Sequence, residues 1–328
     1  MIISSTPLRM SFVGGGSDLP IFYRQFGGAV VSTAINQYVY VTVNPKFDHK
    51  IRLSYSQTEE VDKPSQIEHP LVREALKKLR IPGGIEITSI ADIPSKGTGL
   101  GSSSAFTVGL LNALHAYLSR HVSASRLAEE SCEIEIEHCG APIGKQDQYA
   151  SAFGGLNFIQ FNPDDSVRVE PIICPKKTLI QLQDNLLTFY TGVCRSASEV
   201  LQAQQNALKE KKSKQSTLKA MVKLAFALRK ELQNNHLSAF GKILDENWQL
   251  KRSLTPHIST SQIDHWYQQA RQAGALGGKL LGAGSGGFLT FYAPKEKHSA
   301  IKKKLKSLRS IPFRFESQGS RIIFIHNP

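Results

Sequence analysis

Apolar positions along the chain change their period several times, and each change marks an element. Runs rich in β-branched and aromatic residues at 29–31 and 38–43, bounded by Gly, Asn and Pro, predict strands. A helical period over 70–79 is closed by Pro82-Gly83-Gly84, and a strand is expected over 85–90. A glycine- and serine-rich loop over 94–104 then runs into an apolar helix over 105–118, followed by a second helix over 124–139. Past Gly154-Gly155 a strand is expected over 156–161. The second half changes character. Residues 171–184 read as an inter-domain passage and 186–191 as a buried strand. Long helices are expected over 197–232, 237–251 and 261–273, then a strand over 288–292, a basic helix over 295–308 and two closing strands. Strands and helices alternate without the regular βαβ spacing of a doubly wound sheet, so the pattern predicts an α+β protein in two domains, 1–178 and 185–328.

Composition narrows the class. Apolar residues make up 41% of 328, enough for buried cores and too many for a disordered chain. No run reaches the roughly 18 uncharged apolar residues of a membrane span. The opening segment lacks the basic start and apolar core of a signal peptide, and the four cysteines form no C-x-x-C pair, so a cytoplasmic protein is expected. The net charge of +13 favours a polyanionic partner, a description that fits nucleic acid, acidic lipid and phosphorylated small molecules alike. Lysine-rich stretches at 209–214 and 302–306 read as solvated helix faces.

Three glycine clusters narrow the choice: Gly14-Gly15-Gly16, Gly97-x-Gly99-x-Gly101 and Gly282-x-Gly284-x-Gly286-Gly287. The middle one, continued by Ser102-Ser103-Ser104, sits directly before an expected helix. Its backbone N–H groups and the helix N-terminus together suit phosphate oxygens, and its serines suit helix capping or Mg²⁺. No G-K-[ST] ends the loop, so this is not the Walker pattern. The third cluster matches G-x-G-x-x-G but leads into a strand, which excludes a dinucleotide fold and predicts a loop packed against another loop or a ligand.

Among the carboxylates, Glu130, Glu133 and Glu137 group on one helical edge, expected to face solvent. Glu135 instead shares a face with Ala128, Ser131, Cys132 and Cys139, where a carboxylate needs a partner such as a cation. Asp147 lies in the polar stretch Gly144-Lys145-Gln146-Asp147-Gln148, expected to be a loop with Lys145 keeping the carboxylate ionised. The ten histidines form no H-x-x-x-H pair, so histidine-bound metal is not expected.

Read together, the three glycine motifs resemble, in order, those of the GHMP kinases. Arg9 to Asp18 is similar to the first motif of the sugar kinases, Pro94 to Ala105 to the phosphate loop, and Lys279 to Gly287 to the C-terminal glycine motif, with Ser285 where a glycine is usual. The stretches from Ser11 to Pro20, from Pro142 to Ala150 and from Gly277 to Gly282 are similar to members acting on heptose 7-phosphate. The resemblance implies an N-terminal mixed α/β domain carrying the phosphate loop and a ferredoxin-like C-terminal domain. It also implies ATP-dependent phosphoryl transfer to the anomeric hydroxyl of heptose 7-phosphate, in nucleotide-activated heptose biosynthesis. The implied partners are ATP, Mg²⁺ and a small-molecule sugar phosphate, with no nucleic acid and no membrane. By position, Asp147 matches the group that accepts the acceptor hydroxyl's proton, and Arg9 an arginine near the transferred phosphoryl. Lys96, Gly97, Thr98, Gly99, Leu100, Gly101, Ser102, Ser103 and Ser104 match the ATP loop, and Ser103 and Glu135 the Mg²⁺ ligands. Asp18, with Gly15, Gly16, Ser17 and Gly284, matches the sugar site, and the distal phosphate is expected on Arg195 or, second, Lys279. The alternatives are a fucokinase-like anomeric kinase and a catalytically silent sugar-binding regulator on the same fold.

Overall fold

The computed structural model describes residues 1–93, 97–193 and 197–326. Its larger sheet has eight strands built on a long antiparallel pair, Ile2–Val13 with Gly28–Pro45. From Val39 onward the second strand alternates buried and half-buried positions, so Val39, Val41 and Val43 point into the core while Tyr40 and Thr42 point outward. Strands Ile85–Ala91, Ile51–Ser54 and Thr58–Val61 extend the sheet on one side, and Arg321–Ile325 closes the other against Ile2–Val13. Leu156–Phe161 pairs with the first half of Gly28–Pro45 and carries Val167–Pro171 at its edge. Helix Ser102–Tyr117 crosses the central pair. It is apolar almost all round, and 12 of its 16 residues are buried, as expected of a helix enclosed on every side.

The smaller sheet has four strands in the spatial order Arg309–Ser310, Leu186–Tyr190, Phe288–Tyr292, Gly277–Leu280, all antiparallel. Numbered along the chain this is 4-1-3-2 with helices in the first and last connections, the ferredoxin-like βαββαβ arrangement. Its core gathers Phe189, Trp248, Tyr267 and Phe291. Two helices join the lobes: Leu228, Leu232, Phe240 and Leu244 fill the larger core, whereas Met221 and Trp248 of the same helices fill the smaller one.

The α+β class and the two lobes agree with the apolar pattern. Sheet membership does not follow chain order throughout, because Arg321–Ile325 returns to the first sheet. The expected passage at 171–184 contains a helix, Lys176–Asp184. The helix expected over 197–232 is two, Ala197–Glu210 and Lys212–Gln233. The expected helix over 124–139 is α-helical only to Cys132, and Glu133–His138 form a π-turn. Glu130 is not on a solvent edge: it is 3% exposed, paired with His115 at 2.7 Å and Arg126 at 2.7 Å. Among the described residues no helix is long and apolar enough to cross a membrane.

Candidate active site

The middle glycine motif delivers its serines to a helix start. Gly97, Gly99 and Gly101 all take positive φ, and the helix begins at Ser102 with Gly101 as its uncapped N-cap. The first helical bond runs from the Ala105 N–H to the Gly101 carbonyl, so the N–H groups of Ser102, Ser103 and Ser104 precede the intrahelical ladder. Gly97, Thr98, Gly99, Gly101 and the three serines line one cavity between the lobes, whereas Leu100 is fully buried beneath the loop. The third glycine motif supports this loop from behind. A Cβ on Gly99 would lie 2.2 Å from the Leu281 carbonyl oxygen, and one on Gly287 2.3 Å from that of Thr98. Gly284 presses on the Ile258 backbone and does not line the cavity. Ser285, at φ 63°, turns its hydroxyl away to donate to the His257 carbonyl, so the departure from glycine leaves the phosphate side clear.

Asp147 stands against this loop. A Cβ on Gly101 would be 3.3 Å from its Oδ2. Arg9 holds it with two parallel bonds, Nε to Oδ1 at 2.7 Å and Nη2 to Oδ2 at 2.6 Å, and anchors itself through Nη1 to the Gly99 carbonyl at 2.7 Å. The Arg9 side chain is 3% exposed and that of Asp147 24%, so the carboxylate is the reachable partner of the pair. Asp147 sits in the first turn of helix Gln146–Phe153 rather than in a loop. Lys145 is not its counter-charge; it binds Asp165 at 3.1 Å.

Glu135 lies in the π-turn, a local widening that turns its carboxylate inward beside the same loop. Oε2 accepts from Ser104 Oγ at 2.9 Å and Gln148 Nε2 at 3.2 Å, while Oε1 is buried with no hydrogen-bond partner among the described residues. Burial pushes its pKa up to about 7. A buried, half-satisfied carboxylate beside phosphate-binding N–H groups fits a divalent cation. Ser103, the other expected ligand, is exposed and lines the cavity; the hydroxyl bonded to Glu135 is that of Ser104. Among the described residues no cluster of three His, Cys, Asp or Glu could hold a metal alone, so a cation here would draw its remaining ligands from substrate and water.

The first glycine turn supplies the other side of the cavity. Gly15, Gly16 and Asp18 line it, whereas Ser17 is buried and ties the turn to strand Gly28–Pro45 through both N–H and C=O of Ala29. Asp18 accepts from the Gly16 N–H at 2.8 Å and the Gln146 N–H at 3.3 Å, and burial, with Asp147 nearby, raises its pKa. Lys279 reaches the cavity but donates to the Ser11 and Phe12 carbonyls at 2.6 and 3.1 Å. Lys96 and Arg195 lie outside the described residues.

Three groups at this end went unforeseen. Helix Leu237–Leu254 buries Leu237, Phe240, Leu244, Asn247, Trp248, Lys251 and Leu254 along one stripe, and its two polar members meet the glycine turn. Asn247 Oδ1 accepts from the Gly14 N–H at 3.0 Å, and Lys251 donates to the Gly15 carbonyl at 3.2 Å and Gln204 Oε1 at 3.1 Å. A lysine on an apolar stripe is the signal in the sequence that could have found this site. Burial lowers the Lys251 pKa to about 8, against the opposing pull of Asp18. Between that value and the 10.5 of the unfolded chain, the unfolded state binds the extra proton, so stability contributed at this residue rises with pH. The denaturation midpoint of the wild type relative to Lys251→Met is expected to climb from pH 8 to about pH 10; a flat difference would show that the ammonium is not buried.

The comparisons with known proteins follow the same map. A model of the GHMP kinases N terminal domain matches residues 70–155, which hold the phosphate loop, Glu135 and Asp147. A model of the GHMP kinases C terminal matches 228–309, which hold Lys251 and the third glycine motif. The chain is 29% identical over 335 residues to D-glycero-alpha-D-manno-heptose 7-phosphate kinase of Campylobacter jejuni subsp. jejuni, covering 97% of both. It is 26% identical to galactokinase of Pyrococcus furiosus over 92% of this chain and 91% of that protein. Among solved structures, a D-glycero-D-manno-heptose 1-phosphate kinase from Bacteriodes thetaiotaomicron superposes with a TM-score of 0.81 at 25% identity, over 100% of both chains. Family models on both lobes and full-length relatives of the same kind place the chain in the GHMP kinase family.

Proposed function

We propose that the protein transfers the γ-phosphoryl group of ATP to the anomeric hydroxyl of D-glycero-D-manno-heptose 7-phosphate, giving the 1,7-bisphosphate. The observation that carries this reading is the Arg9–Asp147 pair, set directly against Gly101 of a phosphate loop. A carboxylate held there by two bonds is aimed where an acceptor hydroxyl would meet a nucleotide's terminal phosphate. The identity of the sugar draws on the full-length Campylobacter jejuni relative.

In this reading the N–H groups from Gly97 to Ser104 hold the nucleotide phosphates, preorganised by the third glycine motif behind them. Glu135 and Ser103 would hold Mg²⁺, which supplies charge neutralisation of the phosphates when bound. Asp147 orients the sugar hydroxyl and takes its proton as the new bond forms. Arg9 keeps Asp147 in place and brings positive charge to the transferring group. Asp18, fixed by two backbone N–H groups, offers its carboxylate to sugar hydroxyls.

The heptose kinases named above differ in where their substrate already carries phosphate, C7 in one and C1 in the other. A coupled assay of ADP release against heptose 7-phosphate, heptose 1-phosphate, unphosphorylated heptose, fucose and galactose separates the readings. The 7-phosphate is expected to give the highest kcat/KM. Preference for an unphosphorylated sugar would instead support the fucokinase-like alternative, and no sugar-dependent ADP release would support a silent regulator.

A further inference from the structure

We propose that Lys251, with the side-chain amide of Gln204 beside it, is the subsite that binds the phosphate already present on the sugar. This deepens the kinase reading and rests on it. Both residues sit at the first glycine turn, where a Cβ on Gly16 would come 2.3 Å from Gln204 Nε2 and 3.4 Å from Lys251 Nζ.

Three observations support the assignment. Lys251 is 6% exposed and lines the cavity, yet no carboxylate lies within ion-pair distance of it among the described residues. Its two acceptors among the described residues are neutral, the Gly15 carbonyl and Gln204 Oε1, and engage two of the three donors of the ammonium. Gln204 is fully buried and its Nε2 has no hydrogen-bond partner among the described residues. A buried cation without a counter-ion next to a buried donor without an acceptor is costly, and one anion with several acceptor oxygens would satisfy both. A phosphomonoester is such a group.

Position fits as well. Asp147 stands against Gly101 on the phosphate-loop side, and Lys251 stands against Gly16 on the first-turn side, with Asp18 close enough in charge to affect the latter. A sugar with its reacting hydroxyl at Asp147 and its ring hydroxyls on Asp18 would thus present a further phosphate to Lys251. Lys279 is less suited: the buried amide of Gln204 adjoins Lys251, and burial with Lys251 and Arg9 nearby holds the Lys279 pKa well below the usual lysine range.

Lys251→Met and Lys251→Arg, assayed with heptose 7-phosphate and unphosphorylated heptose under saturating ATP, test the subsite. Lys251→Met is expected to raise KM for the 7-phosphate by about 10- to 100-fold, the loss of a charge-assisted bond. KM for unphosphorylated heptose should rise far less than KM for the 7-phosphate, and Lys251→Arg should recover part of the loss. An unchanged KM for the 7-phosphate in Lys251→Met overturns the subsite while leaving the kinase reading intact. A wild type that turns over only unphosphorylated sugars overturns both. Should Lys251→Met not fold, inhibition of the wild type by inorganic phosphate decides. Competition with the sugar phosphate supports the subsite, and competition with ATP alone, or no inhibition, contradicts it.

Discussion

Asp147→Asn should lower kcat by about three orders of magnitude while leaving ATP binding nearly unchanged. General-base assistance contributes about 10²- to 10⁴-fold, and the substitution removes both the base and the charge that Arg9 grips. The amide would fit the same space, but its NH₂ would face a guanidinium donor where an acceptor oxygen now sits, 2.6 or 2.7 Å away. Arg9, 3% exposed, would keep the Gly99 carbonyl and one bond to the amide oxygen but lose the second parallel bond that fixes its aim. The phosphate-loop N–H groups do not depend on Asp147, so nucleotide affinity measured by calorimetry should move by little. Turnover within about tenfold of wild type, with folded protein and normal ATP binding, is below the usual contribution of a general base and would remove Asp147 from the chemistry.

Gly99→Ala should damage both stability and nucleotide binding. At φ 76° the added Cβ costs about 1 kcal/mol in backbone strain alone. It would also lie 2.2 Å from the Leu281 oxygen and 2.8 Å from the Leu281 carbon, main-chain atoms that cannot swing aside. Overpacking of this kind costs about 1–3 kcal/mol more. The only relief is to part the two glycine motifs, which also moves the N–H groups meant for phosphate. The expected result is a Tm lower by about 5–10 °C and ATP affinity reduced at least about tenfold. Gly140→Ala is the control: its φ is 65°, and none of the described residues lies within 4 Å of the added Cβ. If Gly99→Ala behaves no worse than Gly140→Ala, the interlocking of the loops is not what shapes the phosphate site.

Much of the site was legible because its chemistry needs special residues in short runs. Glycines at 97, 99 and 101 before an apolar helix announce a phosphate loop, and the structure gives all three positive φ. Glu135 separated from its neighbours by a helical-face argument, and it is buried; Glu130 did not, because its partner His115 lies on another helix, whereas Arg126 is a local i,i+4 neighbour. The helix around Asp147 was missed because Gly144 and the polar run Lys145-Gln146-Asp147-Gln148 carry no apolar period. Its counter-charge was missed because Arg9 is 138 residues away in sequence. Lys251 and Asn247 belong to a third category. Their placement on an apolar stripe was visible, but only the docking of that helix on Gly14–Gly16 gives the stripe its meaning.

The charge surplus was the least informative guide. Residues 302–304 and 306 are exposed lysines, away from the cavity, whereas among the described residues the basic ones that line it, Arg9, Lys251 and Lys279, are buried. Exposed lysines set the protein's average field; buried ones select a ligand.

The central claim concerns where the new phosphate goes. Phosphorus NMR of the product formed from heptose 7-phosphate and MgATP measures this directly. The account predicts a second phosphate resonance coupled to the anomeric proton, a 1,7-bisphosphate, with ADP formed in equal amount. ADP formation without a phosphate at C1, or reaction with heptose 1-phosphate in preference to the 7-phosphate, would contradict it.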